Sequence, residues 1–199
     1  MKLFFLALTL VVSPGCIKED KSKQLIIFHA GSLSMPLKKI AREFEKENKG
    51  VTVLLEAAGS RVCARKISEL HRRADIMASA DYTVIDTLLV PDHAAFTIPF
   101  AGNEMVIAYG KKSRRRDQIN ASNWSQILLD SEVAFGRSDP DSDPCGYRTV
   151  MVMKLSELHY KKPGLAKSLL QKDRKNIRPK ETDLLALLEA GQIDYFFIY

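Results

Sequence analysis

The sequence holds 199 residues, 46% of them hydrophobic and 27% charged, with a formal net charge of +6. That balance excludes a disordered or fibrous chain, and the length suits one large domain or two small lobes. The positive charge gathers at Arg61, Arg65 and Lys66, at His71, Arg72 and Arg73, and at Arg114, Arg115 and Arg116, with the aromatics elsewhere. It therefore reads as solvated faces with a weak general pull on anions, not as a nucleic-acid surface.

The start of the chain reads as a targeting segment. Lys2 precedes the apolar run Leu3 to Val12, then Ser13-Pro14-Gly15-Cys16, then a charged stretch. A basic start, a short apolar core and a small-residue break make a secretory signal. A Cys directly after the break marks Cys16 as a lipid attachment point, so residues 1–16 are expected to be a signal peptide ending at a lipoprotein cysteine. The protein is expected outside the cytoplasm, held to the cell membrane by lipid. Two further cysteines, Cys63 and Cys145, do not make a disulfide scaffold and are read as free.

Beyond it, strand and helix signals alternate. Leu25 to Phe28 reads as a buried strand, broken by His29-Ala30-Gly31-Ser32-Leu33-Ser34. Leu37, Ile40, Ala41 and Phe44 then recur at helical spacing. Ser32 or Ser34 is expected to cap this helix, Pro36 suits its first turn, and Gly50 ends it. The pattern repeats: strand Val51 to Leu55, break Glu56-Ala57-Ala58-Gly59-Ser60, and a helix face of Val62, Ile67 and Leu70. A third strand, Asp75 to Ala78, leads through Asp81 to a helix carrying Ile85, Leu88 and Leu89. Such alternation predicts a parallel sheet with right-handed crossovers.

The rhythm changes near Phe100 to Gly102, so a first α/β lobe is expected over 24–100 and a second over 101–199. The second is expected to hold a strand at Met105 to Tyr109 and a helix at Trp124 to Leu129. A strand at Val133 to Phe135 and a long loop from Gly136 to Gly146 should follow. Helices are expected over Tyr147 to His159, Leu165 to Leu170 and Leu184 to Leu188, and a last strand over Asp194 to Tyr199.

Chemistry concentrates in the breaks. Ligands of open parallel sheets sit beyond the carboxyl ends of strands, where both Ala-Gly-Ser breaks fall. Each opens a helix, whose free N–H groups and partial positive charge suit an anion, with Gly allowing close approach and Ser adding a donor. Either serine alone is better explained by simple capping; two matching breaks leave capping and an anion cradle about equally open. Asp139, Asp141 and Asp143 have the spacing of a calcium loop, but Pro144 and Val150 stand where Gly and Glu are needed, so a capping turn is expected. No nucleophile elbow, phosphate loop or zinc-helix motif is present. His29 is read as structural. Cys145, with no base nearby, gives little for an acyl-transfer enzyme.

Five segments together carry a resemblance. They are Phe28 to Leu33, Glu56 to Ser60, Ala80-Asp81-Tyr82, Asp143-Pro144-Cys145-Gly146-Tyr147-Arg148 and Asp194 to Tyr199. In this order they resemble the archaeal tungstate/molybdate-binding proteins of ABC importers. The resemblance implies an α/β, two-lobed periplasmic-binding-protein-like fold of type II that closes on its ligand. It implies that Gly31, Ser32 and Ser60 contact the ligand from the first lobe, and Asp143, Pro144, Cys145, Glu181 and Tyr199 from the second. Asp143 and Glu181 are implied as direct ligands of the molybdenum or tungsten within the oxyanion. It further implies a monomer that passes its ligand to a membrane permease, with no cofactor, no enzymatic activity and no nucleic-acid partner.

Two departures from the family accompany the resemblance. Family members are longer, so the chain is expected to be C-terminally truncated relative to them, ending where the backbone would return to the first lobe. The stretch from Lys172 to Glu181 is also shorter than usual. The alternatives left open are the same fold binding sulfate or phosphate, and a remnant that transports nothing.

Overall fold

The computed structural model describes residues 23–199; the expected signal segment and the expected lipid-bearing Cys16 lie outside the described residues. Three parallel strands form the first sheet, in the order β2-β1-β3. They are β1 (Lys23–Ala30), β2 (Val51–Ala58) and β3 (Ile76–Ala78). Central β1 pairs Phe28 with Glu56 on one side and with Met77 on the other. Burial deepens along β1 until its last four residues are all inside. The chain leaves the sheet at that carboxyl end and enters a 3-10 turn at Gly31–Leu33.

Three helices accompany this sheet: α1 (Ser34–Glu47), α2 (Ser60–Ser68) and α3 (Tyr82–Leu88). Neither Ser32 nor Ser34 caps α1 as expected. Leu33 holds the cap position with no side-chain bond, and the Ser34 hydroxyl instead donates to the Gly31 carbonyl at 2.7 Å. The intervening 3-10 turn moves both serines off the cap. Gly50, in the turn between α1 and β2, has φ +83°, a conformation that favours glycine. The buried cluster of this unit is small: Ala64, Val84 and Leu89, with Ile67, Met77, Ile85, Leu88 and Ala94 partly buried around it.

The second sheet runs β4-β7-β5-β6. Its strands are β4 (Val106–Tyr109), β5 (Phe135–Ser138), β6 (Ile177–Arg178) and β7 (Tyr195–Ile198). β7 lies antiparallel to β4 and parallel to β5. Helices α4 (Trp124–Leu129), α5 (Pro144–His159), α6 (Leu165–Lys172) and α7 (Asp183–Glu189) cover both faces. The alternation of β7 explains how. Tyr195 and Phe197 point into the main cluster with Leu128, Val133, Phe135, Met153 and Leu169, whereas Phe196 points the other way onto Leu184 and Ile193. Phe197 meets Trp124 edge-on at 6.0 Å and Phe135 at 6.4 Å between ring centroids, geometries that favour aromatic pairs.

Two boundaries differ from expectation. β5 begins two residues later than the apolar run suggested and continues through Gly136, Arg137 and Ser138, all buried. Buried Arg137 is accommodated because its Nε donates to Asp173 at 2.5 Å. Helix α5 begins at Pro144, not Tyr147, with Pro at its first position and Asp143 as its cap. Among the described residues, no helix is long and apolar enough to cross a membrane.

Candidate functional site

The carboxyl ends of β1, β2 and β5 face one cleft between the two sheets, and the residues beyond them meet there. Gly59, the single residue between β2 and α2, touches the second unit. A Cβ built on it would lie 2.3 Å from the Ser142 carbonyl oxygen and 3.2 Å from the Asp143 Cβ. Only glycine allows that approach. A Cβ on Gly31 would likewise meet Thr182 Oγ1 at 2.8 Å and Glu181 Oε1 at 3.4 Å. Each Ala-Gly-Ser break therefore presses against a segment bearing one of the two acids, Gly59 against Asp143 and Gly31 against Glu181.

Ser60 is the first residue of α2 and fully buried. Its Oγ accepts from the Ala80 amide at 3.1 Å, which leaves the hydroxyl proton to be donated. Ser32 is half-buried within the 3-10 turn. From the second unit, Asp143 caps α5, and Pro144 and Cys145 open that helix, all three buried. Asp143 Oδ1 accepts from the Cys145 amide at 3.4 Å and Oδ2 from the Glu181 amide at 3.1 Å. Glu181 is fully buried, yet neither of its carboxyl oxygens has a hydrogen-bond partner. The Tyr199 hydroxyl and the Ser138 hydroxyl are buried without a partner as well. Native proteins rarely leave buried polar groups unpaired, and each such group costs about 1–3 kcal/mol.

The electrostatics follow from this crowding. Burial, and then the Glu181 carboxyl beside it, push Asp143 up to about 8. Burial also raises the Tyr199 hydroxyl well above its ordinary value. The Cys145 thiol is raised by burial and by the Asp143 and Glu181 carboxyls, while its Sγ donates to the Phe197 carbonyl at 3.5 Å. That is the environment of an inert thiol, not of a nucleophile. Cys63 is likewise free and buried, its thiol pushed up to about 11 by burial.

Of the eight residues named from sequence, Gly31 stands against Glu181, Asp143 bonds to the Cys145 amide that follows Pro144, and Asp143 also accepts from the Glu181 amide. Ser138 was not among them. It closes β5, and a strand placed at Val133 to Phe135 leaves it inside a presumed loop; the rule that parallel strands present their carboxyl ends would have found it. Asp81 was read as a helix start and as part of a family-like segment, with no role in the site. It does cap α3, accepting from the Thr83 amide at 3.0 Å, but it also binds the second unit through Tyr147 and Arg148. The aspartate-rich loop is a turn: Asp139 accepts from the Asp141 amide and the Ser142 hydroxyl. Among the described residues, no group of three or more His, Cys, Asp or Glu is arranged to hold a metal ion.

The arginine clusters are engaged with nearby acids. Arg114 reaches Asp194 at 3.2 Å, Arg115 reaches Asp130 at 2.9 Å, and Arg72 with Lys66 flanks Glu56 at 2.7 and 2.6 Å.

Comparison with known proteins agrees with the fold. A sulfate-binding protein, SubI of Mycobacterium tuberculosis H37Rv, superposes with a TM-score of 0.66 at 12% identity, over 89% of this chain and 64% of its own. The periplasmic molybdate-binding protein of Azotobacter vinelandii gives 0.61 at 16% identity, over 87% of this chain and 70% of its own. At those identities the likeness is one of fold, that of the periplasmic binding proteins. In sequence, an uncharacterized solute-binding protein of Petrotoga mobilis is 49% identical over the whole chain and 62% of its own length. Molybdate/tungstate-binding proteins of Thermococcus kodakarensis and Pyrococcus abyssi are 44% and 45% identical, over 95% and 90% of this chain. The chain spans 60–63% of the length of these three relatives. Residues 25–199 match the model of the bacterial extracellular solute-binding proteins, and the chain belongs to that family.

Proposed function

We propose that this protein captures molybdate or tungstate outside the cytoplasm and hands it to an ABC permease, without catalysing a reaction. The observation that carries this reading is the buried acid pair, in which Asp143 adjoins a Glu181 whose two carboxyl oxygens have no partner. A cleft built only for sulfate would gain nothing from two carboxyls, which repel an anion. A four-oxo molybdenum or tungsten centre differs, because it can accept two further oxygen ligands. Asp143 and Glu181 would supply them. Gly31, Ser32, Ser60 and the start of α5 at Pro144 and Cys145 would hold the oxo groups through backbone N–H and hydroxyl donors, joined by Tyr199. Extracytoplasmic placement follows the family, and lipid attachment through Cys16 is part of the same proposal. Relatives named for molybdate and tungstate support the ligand class.

Isothermal calorimetry with molybdate, tungstate, sulfate and phosphate tests it. Molybdate and tungstate should bind at least about a hundredfold more tightly than sulfate, and Asp143→Ala should weaken tungstate about tenfold or more, as expected for losing one charge-strength contact. Equal sulfate binding overturns the carboxylate-ligand reading.

One observation favours a second reading. With burial and the Glu181 carboxyl pushing Asp143 up to about 8, the acid pair holds a proton at neutral pH and can donate it to a sulfate or phosphate oxygen. The pH dependence separates the two. Ligation by the carboxylate expels the proton, so affinity rises toward about pH 8; donation by the acid makes affinity fall through the same range.

A further inference from the structure

We infer that Asp81, Tyr147 and Arg148 form a latch that holds the cleft closed and so sets ligand affinity without touching the ligand. Asp81 lies in the first unit, at the start of α3. Its two carboxyl oxygens have separate duties. Oδ1 faces its own helix, accepting from the Thr83 amide at 3.0 Å and the Thr83 hydroxyl at 2.8 Å. Oδ2 faces the other unit, accepting from the Tyr147 hydroxyl at 2.7 Å and Arg148 at 2.9 Å. Arg148 also donates to Asn103 Oδ1 at 2.8 Å, and Asn103 donates back to the Ala80 carbonyl at 2.9 Å. The Arg148 guanidinium lies 5.6 Å from the centre of the Tyr199 ring. A bidentate donor is thus shared between Asp81 and the chain segment that joins the two units.

Three features make this more than a surface ion pair. The Asp81 side chain is only 8% exposed, so its bonds are shielded from water and salt. Burial acts to raise its pKa, but the Tyr147 and Thr83 hydroxyls, the Thr83 amide and the Arg148 guanidinium outweigh it, holding the carboxyl below its ordinary range. Tyr147 and Arg148 also sit on the first turns of α5, the helix that Asp143 caps. Engaging the latch therefore fixes where Asp143 stands against Gly59. On the other side, the Asp81 loop is tied to the site, because the Ala80 amide donates to Ser60 Oγ at 3.1 Å. One cluster positions a proposed ligand residue from each side of the cleft. A ligand that binds only the closed form is weakened in proportion to any loss of that form.

Only the affinity arm of the test rests on the solute-binding reading; the shape arm does not. Asp81→Asn keeps an acceptor for the helix cap and removes the charge. Tyr147→Phe removes one cross-cleft bond and leaves the cap untouched. Thr83→Val removes a cap contact and leaves Oδ2 untouched. Small-angle scattering of the ligand-free protein should show a larger radius of gyration for Asp81→Asn and Tyr147→Phe than for the unaltered chain. Thr83→Val should lower the melting temperature with the radius unchanged. Calorimetry with molybdate and tungstate should show about a ten- to hundredfold loss for Asp81→Asn. The double variant with Tyr147→Phe should lose less than the product of the single losses. Scattering curves that superpose for all variants overturn the latch, whatever the ligand proves to be. So do affinity losses that multiply independently.

Discussion

The two sheets of this protein are built to different depths. The second is sandwiched: apolar side chains of β7 alternate between two clusters, and helices cover both faces. The first has three strands, and its buried cluster has three members. Large apolar side chains around it stay in water, among them Phe96, Ile98 and Phe100 at 70%, 69% and 65% exposure, with Ile76 on β3 at 46%. A groove of about 750 Å³ runs between β3 and the segment carrying those residues, lined by Ala74 to Tyr82 and His93 to Asn103. The largest cluster of packed apolar side chains thus lies in the second unit, while the site depends on both.

The strongest way to break this comparison is a core truncation in each unit. Phe197→Ala should cost about 3–5 kcal/mol, since it deletes a ring that meets both Trp124 and Phe135 inside the main cluster. Leu89→Ala in the small cluster should fall at the low end of its class, about 2 kcal/mol, because its partly exposed neighbours can relax around the gap. Urea unfolding followed by tryptophan fluorescence reports both. Equal losses would mean that the first unit is packed as tightly as the second.

Part of the second unit's stability offsets its own site. Burial, and then the Glu181 carboxyl beside it, push Asp143 up to about 8 from an ordinary value of 3.8. Between those values the folded protein keeps a proton that the unfolded chain releases. The favourable contribution is complete below the unfolded pKa and is lost as pH rises through the folded one. Ligand-free protein should therefore melt lower as pH rises from 4 toward 8, then level off. Asp143→Asn retains a capping side chain and should show a flatter profile, melting above the unaltered protein at pH 8 by at least about 2–4 °C, the equivalent of roughly 1 kcal/mol in a chain this long. Parallel profiles would show that the acid pair is not under strain.

What the sequence made legible follows the same division between local and tertiary causes. Helix α4 runs over Trp124–Leu129 as the pattern predicts. The strand-helix alternation of the first unit is also evident from apolar spacing alone. The two glycine breaks were recognisable, although β1 and β2 run on to Ala30 and Ala58 and leave less loop than expected. β5 was displaced because Gly136, Arg137 and Ser138 look like loop residues until Asp173, 36 residues on, is seen to pair Arg137. Losing those residues to a loop also hid Ser138. Glu181 was reachable only through family resemblance, since nothing local distinguishes it from a surface acid. The Asp81 latch spans more than 60 residues and has no local signature at all.

The smallest expected effect concerns the exposed apolar segment itself. Substituting Phe96, Ile98 and Phe100 together with Ser removes three side chains that are each about two-thirds exposed or more. Surface positions of this kind change folding stability by less than about 0.5 kcal/mol each, so the unfolding midpoint should scarcely move. Binding of an apolar fluorescent dye and self-association at high concentration should both drop, because contiguous exposed apolar surface drives them. A large loss of stability would instead mean that this segment packs onto the first sheet in solution. The shallow unit would then be better covered than its burial indicates, and the contrast between the two sheets would narrow.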